Sequence, residues 1–411
     1  MVSGETMAAD VALISPYPEP GQPSETGVAW YTQGLARALS RAGAAVTVVA
    51  PGRDRARSRV EMDGDVRVER CFTRGATGPV RAGRAAVATG APVTHVQHEA
   101  FLYGGPDSVP GMLVALRQLR GRDRGPVVTM HQVVAPQSID RSFTGMHRVS
   151  VPPAVARTGL ATLQNSISRL ASQVIVHEDA FRRVLPGSVV LPLGAGGAER
   201  IDPAAAGRSP ALRASVGASE DTLVVLAFGF VAPYKGLEPV LDAAGLAGER
   251  VKVVVAGGEH PRLVGQGYLR QLQERYGRVA AFTGYVDDDE VEAWFGAADA
   301  VVLNYPKPFS SSGVLAQAAN HGVAALLSPA LAAVVGIPQS AALPGEPARM
   351  ARWLQSLAGN RAALDQLKEQ TSKLRTGRSW SEVAERHLAI YEEVIDAQRS
   401  SGRALRLRPR R

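Results

Sequence analysis

Residues 224–241 read VVLAFGFVAPYKGLEPVL. The opening run, VVLAF, has the length and apolar character of a buried strand. The pattern breaks at Gly229, passes Pro233, and resumes at Lys235-Gly236 with apolar residues at helical spacing, Leu237, Val240 and Leu241. A strand that feeds a helix through a glycine-containing turn aims backbone N–H groups beyond the helix start, where the helix dipole favours an anion. Lys235 adds a fixed positive charge beside that end. The stretch predicts a phosphate-binding corner.

The same alternation extends both ways. Toward the N-terminus, apolar runs at 10–15, 46–50, 93–97, 127–130, 174–176 and 189–191 read as strands, with a helix over 28–42. Strand, loop, helix and strand in that order form a βαβ unit, which implies a parallel sheet with right-handed crossovers. Toward the C-terminus the strands fall at 222–228, 251–256, 279–283, 300–303 and 324–327, and helical stretches such as 288–298 lie between them. Past Gly345 the pattern is helical over 346–398, with Trp380 and Tyr391 as apolar anchors. Residues 193–208, LGAGGAERIDPAAAGR, are small, glycine-rich and Pro-containing, as a domain boundary is.

The fold class expected is α/β, two Rossmann-like doubly wound domains facing each other across a cleft. The divisions expected are 1–195, a linker at 196–208, 209–379, a helix at 380–398 packing across the domains, and a basic, disordered tail at 399–411. Two domains also suit 411 residues, since a single core stops growing well below that length.

Net charge is +8, and Arg399, Arg403, Arg406, Arg408, Arg410 and Arg411 crowd the last thirteen residues. Such a tail reads either as a solubilising extension or as a weak contact for an anionic membrane surface, and no nucleic-acid partner is expected from it alone. Cys71 is the only cysteine, which excludes an intrachain disulfide. The N-terminus lacks a basic-then-apolar signal pattern, Met7 offers an alternative start, and no apolar run reaches the ~18 residues of a membrane span. A cytoplasmic location is expected, with the tail allowing a peripheral position on the inner membrane face.

Candidate chemistry gathers at strand ends. Strands end at His98-Glu99, His131 and His177-Glu178, and ligands of open α/β sheets bind outside the carboxyl ends of strands. A lone histidine there is more often a structural residue bonded to a loop backbone. Three share one rim, and His131 is the best placed because the long polar loop 132–149 follows it. Gly27, at the start of the first helix, is either an ordinary turn glycine or a place where a ligand approaches backbone. Beyond 283 come Gly284-Tyr285-Val286 and an acidic run at 287–290, which reads as the first turn of a helix. The segment NYPKPFSSS at 304–312 leads into Gly313-Val314-Leu315. Its serines serve either as N-caps or as phosphate ligands. Zinc spacing, a G-x-S-x-G elbow, a Walker A loop and a G-x-G-x-x-G fingerprint are all absent, which sets aside metallohydrolase, serine-hydrolase, P-loop and dehydrogenase readings.

In order, SPYP (15–18), TGVAWYTQGLARALSRAGAAVTVVAP (26–51), VQHEAFLYGG (96–105), VVTMHQV (127–133), FGFVAPYKGLEPVLDAA (228–244), VVVAGG (253–258), FTGYVDDDEVEAWFGAADAVVLNY (282–305), SSSGVLAQAANHG (310–322) and SWSEVAERHLAIYEEV (379–394) resemble the retaining GT-B glycosyltransferases of family 4. The resemblance spans nearly the whole chain. It implies an acceptor in the N-terminal domain and a nucleotide-diphosphate sugar in the C-terminal one, with no metal and no cofactor besides that co-substrate. The acceptor implied is a hydroxyl or amine on a glycan, a lipid-linked or a small molecule. By position, Gly27 would face the donor diphosphate, Lys235 would bind it, and His131 would bond the transferred sugar or place the acceptor. Tyr285 and Val286 would meet the base, and Ser311, Ser312 and Gly313 the distal phosphate and sugar. Gln317 would bond the ribose, and Tyr17, His98 and Glu99 would lie on the acceptor or sugar side.

The chain departs from the family at four places. Phe230 stands where the family has Arg, Phe309 and Gln317 where it has two glutamates, and Leu193 within Pro192-Leu193-Gly194 where it has His or Asn. These substitutions keep three readings open. The chain is an active transferase, a catalytically silent partner of another transferase, or an enzyme of the same fold that couples a pseudosugar.

Overall fold

The computed structural model describes residues 10–19, 26–52, 58–121, 125–146, 149–195, 203–260, 264–287 and 289–406. Eight strands build the first sheet: β1 (Val11–Ile14), β2 (Val46–Pro51), β3 (Arg59–Asp63), β4 (Val66–Phe72), β5 (Val93–His98), β6 (Pro126–Met130), β7 (Gln173–Val176) and β8 (Val189–Val190). Their order is β3-β4-β2-β1-β5-β6-β7-β8. Five more, β9 (Leu223–Phe228), β10 (Val251–Ala256), β11 (Ala280–Gly284), β12 (Ala300–Leu303) and β13 (Ala324–Leu327), form the second, ordered β11-β10-β9-β12-β13. All neighbours pair in parallel except β3 with β4.

The central strands are unbroken Val, Ile, Leu and Ala runs because helices cover both faces of a parallel sheet. Val11–Ile14 and Ala300–Leu303 are buried at every position. The β3–β4 hairpin is an addition to the sequence reading. Its signal is the alternation VRVERCF, buried at every second residue, behind an Asp63-Gly64-Asp65 turn in which Gly64 takes φ 59°.

Each sheet reverses direction once, between β1 and β5 and between β9 and β12. A ligand crevice opens at such a switch point, outside the strand C-termini. The C-terminal edges of the two sheets meet. Gln132, after β6, pairs with Ser310, after β12, and the Val133 N–H donates to the Phe309 carbonyl at 2.8 Å.

The last helix, Trp380–Arg406, leaves the second domain and lies back on the first, where Val383, Ala384, Ile390, Tyr391 and Val394 join the core. The Trp380 ring rests against Gly34 and Gly194, and a Cβ at either would overlap it. This helix runs past 398 to Arg406, so the segment read as a disordered tail is helical for most of its length; residues 407–411 lie outside the described part. Likewise the helix Pro203–Ser215 begins within the stretch read as linker. Among the described residues no helix is long and apolar enough to cross a membrane.

Candidate active site

The corner between β9 and β12 is built from the opening stretch. After Phe228 the chain turns at Gly229 (φ 83°), makes a short turn over Pro233–Lys235, and passes Gly236 at φ 57°. Only glycine fits that last position, since a Cβ would overlap the Asn304 carbonyl. The left-handed residue delays the helix, which begins at Leu237 rather than at Lys235. The turn folds Lys235 back under the strand end, where its Nζ donates to the Phe228 carbonyl at 2.6 Å. Lys235 is buried, and no carboxylate reaches it among the described residues. Burial brings its pKa down to about 7. It lines a pocket with Phe228, Gly229, Leu237, Val302 and Tyr305.

The loop after β12 completes the corner, and its three serines have three different tasks. Ser310 pairs with Gln132 across the cleft. The Ser311 hydroxyl donates to Glu178 Oε1 at 3.0 Å. Ser312 is the N-cap of the helix Gly313–Asn320, accepting from Leu315 N at 3.2 Å, and it also bonds Tyr305, whose hydroxyl burial pushes up to about 12. A Cβ on Gly229 would lie 3.2 Å from Lys235 Nζ and 3.9 Å from Val314 Cγ2, so the ammonium and the first turn of this helix flank one glycine.

No family model matches the chain, and no curated protein matches it by sequence. Solved structures do match. Sucrose-phosphate synthase from Thermosynechococcus elongatus superposes at a TM-score of 0.70 with 20% identity, over 94% of this chain and 99% of that one. Trehalose-6-phosphate synthase OtsA gives 0.68 at 12% identity, over 93% and 99%. Anabaena Alr3699/HepE, solved with UDP and glucose, gives 0.63 at 16% identity, over 94% and 100%. The fold is GT-B. At these identities the likeness carries the architecture, and the chemistry rests on the residues in the cleft.

The GT-B cleft places the remaining candidates unevenly. His131 is buried with both ring nitrogens engaged, Nε2 at 2.8 Å from Gln97 Oε1 and Nδ1 at 3.2 Å from His177 Nε2. Burial holds its pKa well below the usual histidine value, and His177, bonded to the Leu191 carbonyl, sits at about 4 for the same reason. The ring expected to meet the sugar is thus tied into the first domain. His98, on the neighbouring strand, differs. It is buried with a pKa near 4, and its Nδ1 has no partner among the described residues. The Glu99 carboxylate accepts from Gln132 Nε2 at 2.9 Å. Tyr17 donates to Asp63 Oδ2 at 2.7 Å, and Arg37 braces the same carboxylate, so this hydroxyl fastens the first loop to the β3–β4 hairpin instead of facing an acceptor.

Gly27 is the exposed first residue of the helix Gly27–Arg41, and nothing lies within 4 Å of where its Cβ would be. Protein neighbours do not require glycine there. Tyr285 is exposed at the end of β11, whereas the Val286 side chain belongs to the core, which leaves its backbone to meet a ligand. Gln317 is half-buried one turn beyond Gly313. Phe230 packs edge-on against His260, centroids 5.6 Å apart, and puts an aromatic ring where the resemblance implies a second cation. Phe309 turns the other way. Its ring lies 5.9 Å from Phe143 and packs on Val134 and Ile139 of the first domain. Nearby, Lys307 reaches both oxygens of Asp140 at 2.6 Å. The segment 307–311 is therefore a seam between the domains.

Tyr305, Arg378 and the cleft position of Glu178 were not anticipated. Glu178 follows a rim histidine, which marks it. Arg378 is distant in sequence and carries no local signal. Among the described residues no three His, Cys, Asp or Glu side chains gather as metal ligands.

Proposed function

We propose that this chain is a glycosyltransferase that moves a sugar from a nucleotide-diphosphate donor to a hydroxyl or amine acceptor. The observation that carries the proposal is Lys235, a buried ammonium without a counter-ion, at the switch point of the second sheet and beside the first turn of the helix Gly313–Asn320. A donor diphosphate would supply the missing anion and accept from Ser312 and the helix N-terminus. As the sugar departs, negative charge builds on that diphosphate. Fixed donors in a water-poor site stabilise it without a metal, and the leaving oxygen takes the acceptor proton on the same face of the sugar, which retains configuration. His98 and Glu99 lie on the opposite rim, where the acceptor would sit.

A second reading, a silent GT-B partner of another transferase, draws on Phe230 and Phe309, which put apolar rings where charges would serve catalysis. Donor binding and turnover separate the two. HepE was solved with UDP-glucose, so uridine nucleotides are the first probes, followed by ADP- and GDP-sugars. Calorimetric binding that is lost in Lys235→Ala supports the donor site, and glycosyl transfer or donor hydrolysis supports the enzyme. Failure of every nucleotide to bind at millimolar concentration would sink the transferase reading, and binding without turnover across a broad acceptor panel would favour the silent partner.

A further inference from the structure

We infer that Glu178, supplied from the first domain, is the carboxylate that holds the hydroxyls of the transferred sugar. The inference rests on the donor-site reading above and names the residue that distinguishes a sugar nucleotide from a bare nucleotide.

Four observations converge. Glu178 stands at the N-cap of the helix Asp179–Val184, and its carboxylate makes no bond to that helix. Its side chain crosses the cleft instead, to Ser311 Oγ at 3.0 Å, two residues from Phe309 and directly before the helix that flanks Lys235. It is only 8% exposed, and the bonds it makes reach Oε1, from Ser311 and from Arg378 Nη2 at 3.5 Å; Oε2 has none among the described residues. Arg378 compensates weakly, because its Nε and Nη1 are held by the Leu374 and Leu193 carbonyls, and burial still raises the Glu178 pKa above the ordinary glutamate value.

A buried carboxylate with an open oxygen accepts hydrogen bonds from vicinal hydroxyls more strongly than a neutral acceptor does. The phosphate end of a donor would lie at Lys235 and Ser312, and the next group along the molecule is the sugar. His98, whose Nδ1 has no partner, stands on the same rim two strands away and offers a second contact. Phe309 cannot serve, since its ring carries no acceptor and turns toward Val134, Ile139 and Phe143 of the first domain.

The test compares UDP-glucose with UDP on the full chain, with the ADP and GDP pairs as alternates. Glu178→Gln retains the shape and an oxygen for Ser311 while removing the charge. It is expected to weaken UDP-glucose at least tenfold, to leave UDP within twofold, and to leave the Tm within a few degrees. Arg378→Gln is the structural control, expected to lower the Tm while keeping the ratio of the two affinities. Equal loss of both ligands in Glu178→Gln, or an equal change of ratio in Arg378→Gln, makes Glu178 a strut and overturns the inference. If Glu178→Gln fails to fold, Glu178→Asp, which keeps the charge one methylene short, must still weaken UDP-glucose more than UDP. A wild-type chain that binds none of the nucleotides overturns the donor-site reading itself, which is distinct from a wild type that binds both while the variant shows no discrimination.

Discussion

Lys235 has opposite effects on folding and on binding. In the unfolded chain its pKa is near 10.4, and in the fold about 7. Between those values the unfolded state holds a proton that the folded state has lost, so stability rises with pH across this window. The cost of burying the charge is fully present below pH 7. Lys235→Met should therefore raise the Tm at pH 6, with a gain that shrinks toward pH 10; a gain independent of pH would refute the buried ammonium. Binding runs the other way. A diphosphate needs the charged form, so affinity should fall above pH 7, and calorimetry at pH 8 in buffers of different ionisation enthalpy should reveal proton uptake. Removing the amine should cost about 1.5–3 kcal/mol of nucleotide binding. His131 stays neutral across the same range, and no inflection near pH 6.5 is expected in the rate profile. The lysine was legible in the sequence because Gly229, Pro233 and Gly236 surround it. That His131 faces inward was not, because its partners Gln97 and His177 come from other strands.

Among the elements, the strand–turn–helix corner depends on one backbone conformation. Gly236→Ala forces a side chain into the left-handed region, at about 1–2 kcal/mol, and into the Asn304 carbonyl as well. The urea midpoint should fall, and nucleotide affinity should fall further than stability alone explains, because the turn carries Lys235. Unchanged affinity in a folded variant would separate the turn from the site. The strands of both sheets were readable as unbroken Val and Ala runs. The β3–β4 hairpin has local signals too, its Asp-Gly turn and its alternation, but they mark an antiparallel pair in a pattern otherwise made of βα units. The sequence pattern sets the helix start two residues early, because a lysine-glycine pair gives no sign that the glycine is left-handed.

For the whole molecule, the seam at 307–311 sets how the domains meet. Phe309→Ala should cost about 1–2 kcal/mol, less than for a fully buried phenylalanine because the ring is half-buried. Small-angle scattering should then show a larger radius as the domains part. Phe309→Glu, which installs the residue type of the glycosyltransferases that the sequence resembles, should loosen the seam more and gain no activity, since the carboxylate would enter the Val134, Ile139 and Phe143 cluster. An activity gain would show that Phe309 faces the donor after all. The two-domain architecture followed from the repeated alternation. How the cleft is bridged did not, because Lys307 with Asp140 and Ser311 with Glu178 join residues more than a hundred positions apart.

The helix Trp380–Arg406 gives the chain an unusual order of assembly. Its apolar face supplies Val383, Ala384, Ile390, Tyr391 and Val394 to a core whose other members lie between Val11 and Leu193. During synthesis the first domain leaves the ribosome early, yet its core still lacks one wall until Val383 to Val394 have emerged. The second domain, whose sheet and covering helices are complete by residue 373, has all it needs sooner. The domain that is made first is finished last.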